Sequence, residues 1–134
     1  MDFIMSDELD RAAAEIRKRA YAPYSRFQVG AALICDGQVH VGCNVENAAY
    51  PQGNCAEASA IAAMVASGGR RIDAIAIAGP GQVACTPCGG CRQRLREFGQ
   101  PDLVVRMVDE DGRLVMARTL GELLPDSFGP EHLG

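Results

Sequence analysis

The chain has 134 residues, 48% of them apolar, and a formal net charge of −4. That length suits one domain, residues 1–134, able to bury roughly 68% of its unfolded surface. The acidic balance excludes a broad basic groove for polymeric nucleic acid, and no apolar run reaches the roughly 18 residues of a membrane span.

Residues 1–8 contain no basic segment followed by an apolar one, so no export signal is expected and the cytoplasm is the default. The six cysteines are then expected as reduced thiols rather than disulfides. In chain order, Ser6 can cap a first helix with Asp7 and Glu8 in its first turn. Leu9, Ala12, Ala13 and Ile16 form its apolar stripe, Arg17, Lys18 and Arg19 suit its end, and Pro23 stops it. Phe3 and Met5 fit an anchor or a frayed tail equally. Residues 27–35 and 39–45 read as two strands joined by an Asp36-Gly37 hairpin turn. Asn44 and Glu46, two apart on the second strand, then point to one side. Residues 47–53 form a loop. Asn54 can cap a second helix to about Ser67, closed by Gly68-Gly69. Its interior is apolar nearly all round, which calls for burial between the sheet and another element or subunit. Residues 72–78 read as a central strand. Pro87 opens a third helix that runs to Phe98 and is closed by Gly99. Residues 103–108 and 114–117 are two further strands, antiparallel to each other. Thr119 caps a short last helix through Leu124, ended by Pro125. This order implies an α/β fold with a five-stranded mixed sheet covered by helices.

Two motifs carry chemistry: Asn54-Cys55-Ala56-Glu57 and Pro87-Cys88-Gly89-Gly90-Cys91. Three thiolates, from Cys55, Cys88 and Cys91, can hold zinc and leave its fourth position open. Glu57, beside the metal but not on it, can move protons. C-x-x-C alone would equally fit a structural zinc half-site or a redox pair. His40 and His132 lack ligand spacing to any cysteine and read as solvent-facing. A redox reading leaves Cys55 and Glu57 without a role. The paired motifs, each opening a helix, are instead the arrangement of zinc deaminases of nucleobases. Activated water would attack C4 of a cytosine ring, with Glu57 passing protons to N3 and the leaving ammonia. Cys35, Cys43 and Cys85 read as small buried hydrophobes. Arg70, Arg71, Arg92, Arg94 and Arg96 read as solvated faces rather than a phosphate site.

The chain resembles the small homotetrameric cytidine deaminases over nearly its whole length. The likeness rests on the two motifs together with Tyr21-Ala22-Pro23-Tyr24-Ser25, Phe27-Gln28-Val29-Gly30-Ala31-Ala32 and Gly42-Cys43-Asn44-Val45-Glu46-Asn47-Ala48. It extends through Cys91-Arg92-Gln93, Glu122-Leu123-Leu124-Pro125 and Phe128-Gly129-Pro130. The resemblance implies a three-layer cytidine deaminase-like fold, one zinc per chain, and cytidine and deoxycytidine as substrates in pyrimidine salvage. It implies Cys55, Cys88 and Cys91 as zinc ligands, Glu57 as proton shuttle, and Asn44 and Glu46 as ribose contacts. Phe27 matches a pocket aromatic, and Ala48, Tyr50 and Phe128 match positions that reach a neighbouring subunit's site. One departure stands out. Three-cysteine members of the family usually carry arginine directly after the glutamate, where this chain has Ala58. Arg92 is the substitute the sequence offers. The competing readings are a deaminase of a modified cytosine nucleoside or cytosine-containing antibiotic, a catalytically silent zinc-binding assembly protein, and, least favoured, a polynucleotide editor.

Overall fold

Two strands, β1 (Gly30–Cys35) and β3 (Ala74–Ala78), are buried at every residue. Both faces of each are covered, so their sequences run apolar without alternation. The computed structural model describes residues 3–134. Around these two strands lie β2 (Gln38–Cys43), β4 (Val104–Val108) and β5 (Leu114–Thr119), in the order β2-β1-β3-β4-β5. Only β3 and β4 are parallel; the other three pairings are antiparallel. The mixed five-stranded sheet, with β3 at its centre, is the one the sequence implies.

Side-chain alternation divides the core into two layers. On one face Ala32, Ile34, Ala74, Ala76 and Ala78 meet Leu9, Ala13 and Ala14 of α1 (Phe3–Arg17). The other face carries Leu33, Ile75, Ile77, Val105 and Met107. Against it pack α2 (Ala56–Ala66), α3 (Gly89–Phe98) and α4 (Leu120–Leu123). Two glycines allow this close approach. A Cβ at Gly30 would lie 2.2 Å from the Ala13 carbonyl oxygen of α1, and one at Gly42 would lie 2.3 Å from the Ala60 nitrogen of α2. A buried ion pair ties α1 to β4: Arg106 donates to both carboxylate oxygens of Asp10 at 2.9 and 2.8 Å. The hairpin turn is formed by Asp36 (φ 51°) and Gly37 (φ 78°), the left-handed pair that Asp-Gly favours.

Several expected boundaries move, each for a local reason. Ser6 lies inside α1 and is not its cap. Met5 packs on the α1 face of the sheet and so extends the helix upstream; the Phe3 side chain lies outside what is described. β1 starts at Gly30, not 27, because the Asn44 side chain engages the backbone before it, accepting from Val29 N at 2.8 Å and donating to Phe27 O at 2.9 Å. β2 ends at Cys43, not 45. Val45 instead forms isolated bridges with Tyr21 and Asn54. That bridge uses the Asn54 backbone, so Asn54 is no cap and Cys55 takes the N-cap position of α2. Cys88, not Pro87, likewise sits at the edge of α3 as its N-cap. β5 runs on to Thr119, which caps α4 in a capping box with Glu122. Short 3-10 turns at Tyr50–Gln52 and Pro130–Leu133 were not foreseen. α2 buries one face, with Ala60, Ile61 and Met64, but exposes Ala62 and Ala66. Among the described residues no helix is long and apolar enough to cross a membrane.

Candidate active site

Two helix starts meet at one place. Cys55 is the N-cap of α2, Cys88 is the N-cap of α3, and Cys91 lies in the first turn of α3. Neither thiol forms a regular capping hydrogen bond, but the Ala58 N–H in the first turn of α2 helps favour a Cys55 thiolate, as both positive helix ends do. The sulfurs of Cys55 and Cys91 and a carboxylate oxygen of Glu57 all lie within 4.8 Å of one another. Cys91 and Glu57 are buried, and Cys55 is half-buried. Cys88 is exposed and stands outside that group of three. All six cysteines are free. Cys35 is buried as expected; Cys43 and Cys85 are only half-buried, Cys43 because it ends β2 and Cys85 because it lies in the loop between β3 and α3.

The electrostatics of the group follow from crowding. Cys55 ionises more easily than an ordinary thiol because Cys91 hydrogen-bonds to it, and Cys91 resists ionisation for the same reason. Burial pushes the Glu57 carboxyl up to about 7, and the Cys55 charge adds to the effect. Hydrogen bonds from its own backbone N–H and from Cys91, together with the Arg94 charge, oppose that rise. Burial also raises Cys85, to about 11, which keeps it a neutral thiol at neutral pH.

The donor set suits zinc. Thiolate is the soft ligand zinc selects, and two sulfurs on one zinc at ~2.3 Å stand ~3.8 Å apart in a tetrahedron, within the spread of this group. Cys55 and Cys91 meet that spacing limit, and Cys88 is one helical turn from Cys91.

The other expected residues lie towards the loops. Asn44 and Glu46 follow the end of β2 rather than sitting within it. Both brace the segment before β1. Glu46 accepts from the backbone N–H groups of Tyr24 at 3.0 Å and Ser25 at 3.1 Å, and from the Ser25 hydroxyl. The Ser25 side chain and then its backbone hold the Glu46 carboxyl below the usual carboxylate range. A cavity of about 350 Å³ is lined by Tyr24, Ser25, Glu46, Asn47, Tyr50 and Gly53. Phe27, Asn44 and Ala48 do not line it, nor do the three motif cysteines. Tyr50 is 77% exposed and meets Tyr24 edge to face, with centroids 6.3 Å apart. Phe128 is 55% exposed and stacks on His132 at 5.0 Å, lining a separate cavity with Pro125, Asp126 and Ser127.

All five arginines expected on solvated faces have partners; Arg70 donates to the carbonyls of Val65 and Gly69, and Arg71 pairs with Asp73. Arg92 does not approach a thiol: its guanidinium donates to the carbonyls of Pro87 at 2.8 Å and Leu123 at 2.9 Å. It braces the loop before α3 against the end of α4 and does not replace the arginine missing at Ala58. Arg96 binds Ser127 and Glu131. Arg94, expected on a solvated face, is exposed and also reaches Cys91 Sγ at 3.8 Å. Its position three residues after Cys91, on one helical face, is the signal that could have found it.

The comparisons agree with this geometry. The family model for the cytidine and deoxycytidylate deaminase zinc-binding region matches residues 5–107. The chain is 46% identical over 123 residues to a cytidine deaminase of Mycobacterium tuberculosis, covering 90% of this chain and 87% of that one. It is 38% identical over 128 residues to a cytidine deaminase of Sporosarcina psychrophila, covering 95% and 93%. The crystal structure of cytidine deaminase from Burkholderia pseudomallei superimposes with a TM-score of 0.85 at 44% identity, covering 96% of this chain and all (100%) of that one. With its sheet, its paired helix starts and its thiol–carboxylate group, the chain belongs to the zinc-binding cytidine deaminase family.

Proposed function

We propose that the chain is a zinc-dependent hydrolase that converts cytidine and deoxycytidine to uridine and deoxyuridine, a step of pyrimidine salvage. The observation that carries this reading is the convergence of Cys55, Glu57 and Cys91 where α2 and α3 begin. Cys55 and Cys91, with Cys88 at the start of the same helix as Cys91, would hold the zinc. Zinc bound there supplies Lewis acidity that makes water a nucleophile at neutral pH. Glu57 stays off the metal and handles protons. Its buried carboxylate would take one proton from the attacking water and pass it to N3 of the base. It would then take the second from the new hydroxyl on C4 and pass it to the amino group, which leaves as ammonia when the C4–N bond breaks. Burial gives Glu57 the basicity this exchange needs.

Recognition falls to the loop side. Glu46 is ionised and already accepts one hydroxyl, that of Ser25, and a sugar hydroxyl is the same kind of donor. Asn44 fixes the backbone around Phe27, whose ring is 48% exposed. Glu46 lines a cavity of about 350 Å³, which supports a place for the sugar end on this side. The sites are shared within a homotetramer, Ala48, Tyr50 and Phe128 of one subunit completing the pocket of another. What supports this is the exposure of Tyr21, Tyr24, Phe27, Tyr50 and Phe128; Phe98 is the one described aromatic ring packed on the core. Native mass spectrometry should give four chains, and a monomer active at the same rate would contradict shared sites. The site serves free nucleosides and neither polymeric nucleic acid nor a membrane surface. It works in the cytoplasm, where six free thiols stay reduced.

The experiment that tests the ligand set is zinc stoichiometry in two variants. Cys88→Ser should lose zinc, whereas Glu57→Gln should keep one zinc per chain. The reverse pattern would make Glu57 a ligand and remove it as the proton carrier.

A further inference from the structure

Arg94 is placed differently from the arginines beside it. Arg92, Arg96 and Arg106 each spend their guanidinium on carbonyl or carboxylate oxygens. Among the described residues Arg94 forms no ion pair. Its side chain turns back along α3 towards the helix start, the usual direction for a long helical side chain. There Nη1 lies 3.8 Å from Cys91 Sγ. It also passes over Gly90, where a Cβ would stand 3.2 Å from Nη1. The guanidinium therefore covers the turn that carries two of the three thiols.

Arg94 is exposed and lies along an open groove between α2 and α3, lined also by Ala58, Ile61, Val65, Phe98 and the acidic Glu97. Ala58, the residue after Glu57, contributes only a methyl group and leaves the space open. Three thiolates outweigh a zinc dication by one negative charge, and one guanidinium balances it. Unbalanced thiolates donate more electron density and weaken the metal as a Lewis acid.

We propose that Arg94 is a positioning residue for the metal centre, balancing the surplus charge of the thiolates through Cys91 and so setting the Lewis acidity available to the reaction. This rests on the three-thiolate reading given above. The direction of its effect separates it from a structural role. Loss of a nearby cation leaves zinc held as firmly as before or more firmly, while the reaction slows. Loss of a mere structural brace would loosen zinc.

Arg94→Gln and Arg94→Lys, each prepared with zinc and with cobalt(II), test this. In Arg94→Gln, kcat for cytidine should fall about 10- to 100-fold, with KM within about twofold. Zinc release to a chromophoric chelator should be no faster than in the unaltered protein. The thiolate-to-cobalt charge-transfer band should move to longer wavelength, because the sulfur donors become more electron-rich. Arg94→Lys keeps the charge and should recover most of kcat and the band position. Unchanged kcat and an unmoved band in Arg94→Gln would overturn the proposal. Faster zinc release with an unmoved band would also overturn it, marking Arg94 as a helix brace. If the unaltered zinc protein leaves cytidine intact, the deaminase reading fails, while the cobalt band still reports on Arg94.

Discussion

The thiol–carboxylate group and the aromatic rim differ in how finished they are within one chain. At the group, Glu57 is 5% exposed and Cys91 fully buried, and two helix starts and a sheet fix them. At the rim, Tyr24, Phe27, Tyr50 and Phe128 are all about half exposed or more, on loops and short turns. On the proposed reading, chemistry that must exclude water lies in the core of the fold, and recognition lies on the exposed loops. A reaction centre of this kind can be complete in each chain while its pocket needs a second copy to close.

This contrast can be broken from either side. The largest effect should come from Glu57→Gln, which removes the proton carrier but keeps its shape. We expect kcat to fall roughly 1,000-fold with substrate binding retained, measured by steady-state kinetics on protein of known zinc content. Gly42→Val comes next. Its side chain would collide with the α2 backbone at Ser59 and Ala60, lifting the helix that carries Cys55 and Glu57. A loss of about 3 kcal/mol in denaturant unfolding is expected, together with weaker zinc retention. At the rim, Tyr50→Ala should raise KM about tenfold, or ~1.4 kcal/mol of binding, and leave kcat within a few-fold. A fall in kcat equal to that of Glu57→Gln would erase the division between chemistry and recognition. Thr119→Ala is the smallest and serves as a control. It removes the α4 cap and should cost about 1 kcal/mol without changing KM or zinc content.

The two regions also differed in how far the sequence could be read. β1 and β3 were legible because both are buried on two faces and read as unbroken apolar runs. The Asp36-Gly37 turn was legible because few dipeptides adopt two left-handed residues. Cys55, Cys91 and Glu57 could be grouped because motif spacing placed them at helix starts. The cap of α2 differs for a tertiary reason: Asn54 has a good cap side chain, but its backbone pairs with Val45 in an isolated bridge, so Cys55 takes the cap position. Asn44 shortened β1 in the same way, by a side chain bonding backbone across the sheet edge. Arg92 and Arg94 show the limit most plainly. Both lie within three residues of Cys91, and sequence proximity favoured Arg92. Helical geometry turns Arg92 towards Leu123 and lays Arg94 over the thiol.

The central claim is that this thiol–carboxylate group deaminates a cytosine nucleoside. Its most direct test is the ultraviolet absorbance of cytidine incubated with the zinc-loaded protein at neutral pH. The account predicts steady loss of the cytosine band with stoichiometric uridine and ammonia, and a loss roughly 1,000-fold slower with Glu57→Gln. An unchanged spectrum, from protein confirmed to hold one zinc per chain, would contradict it.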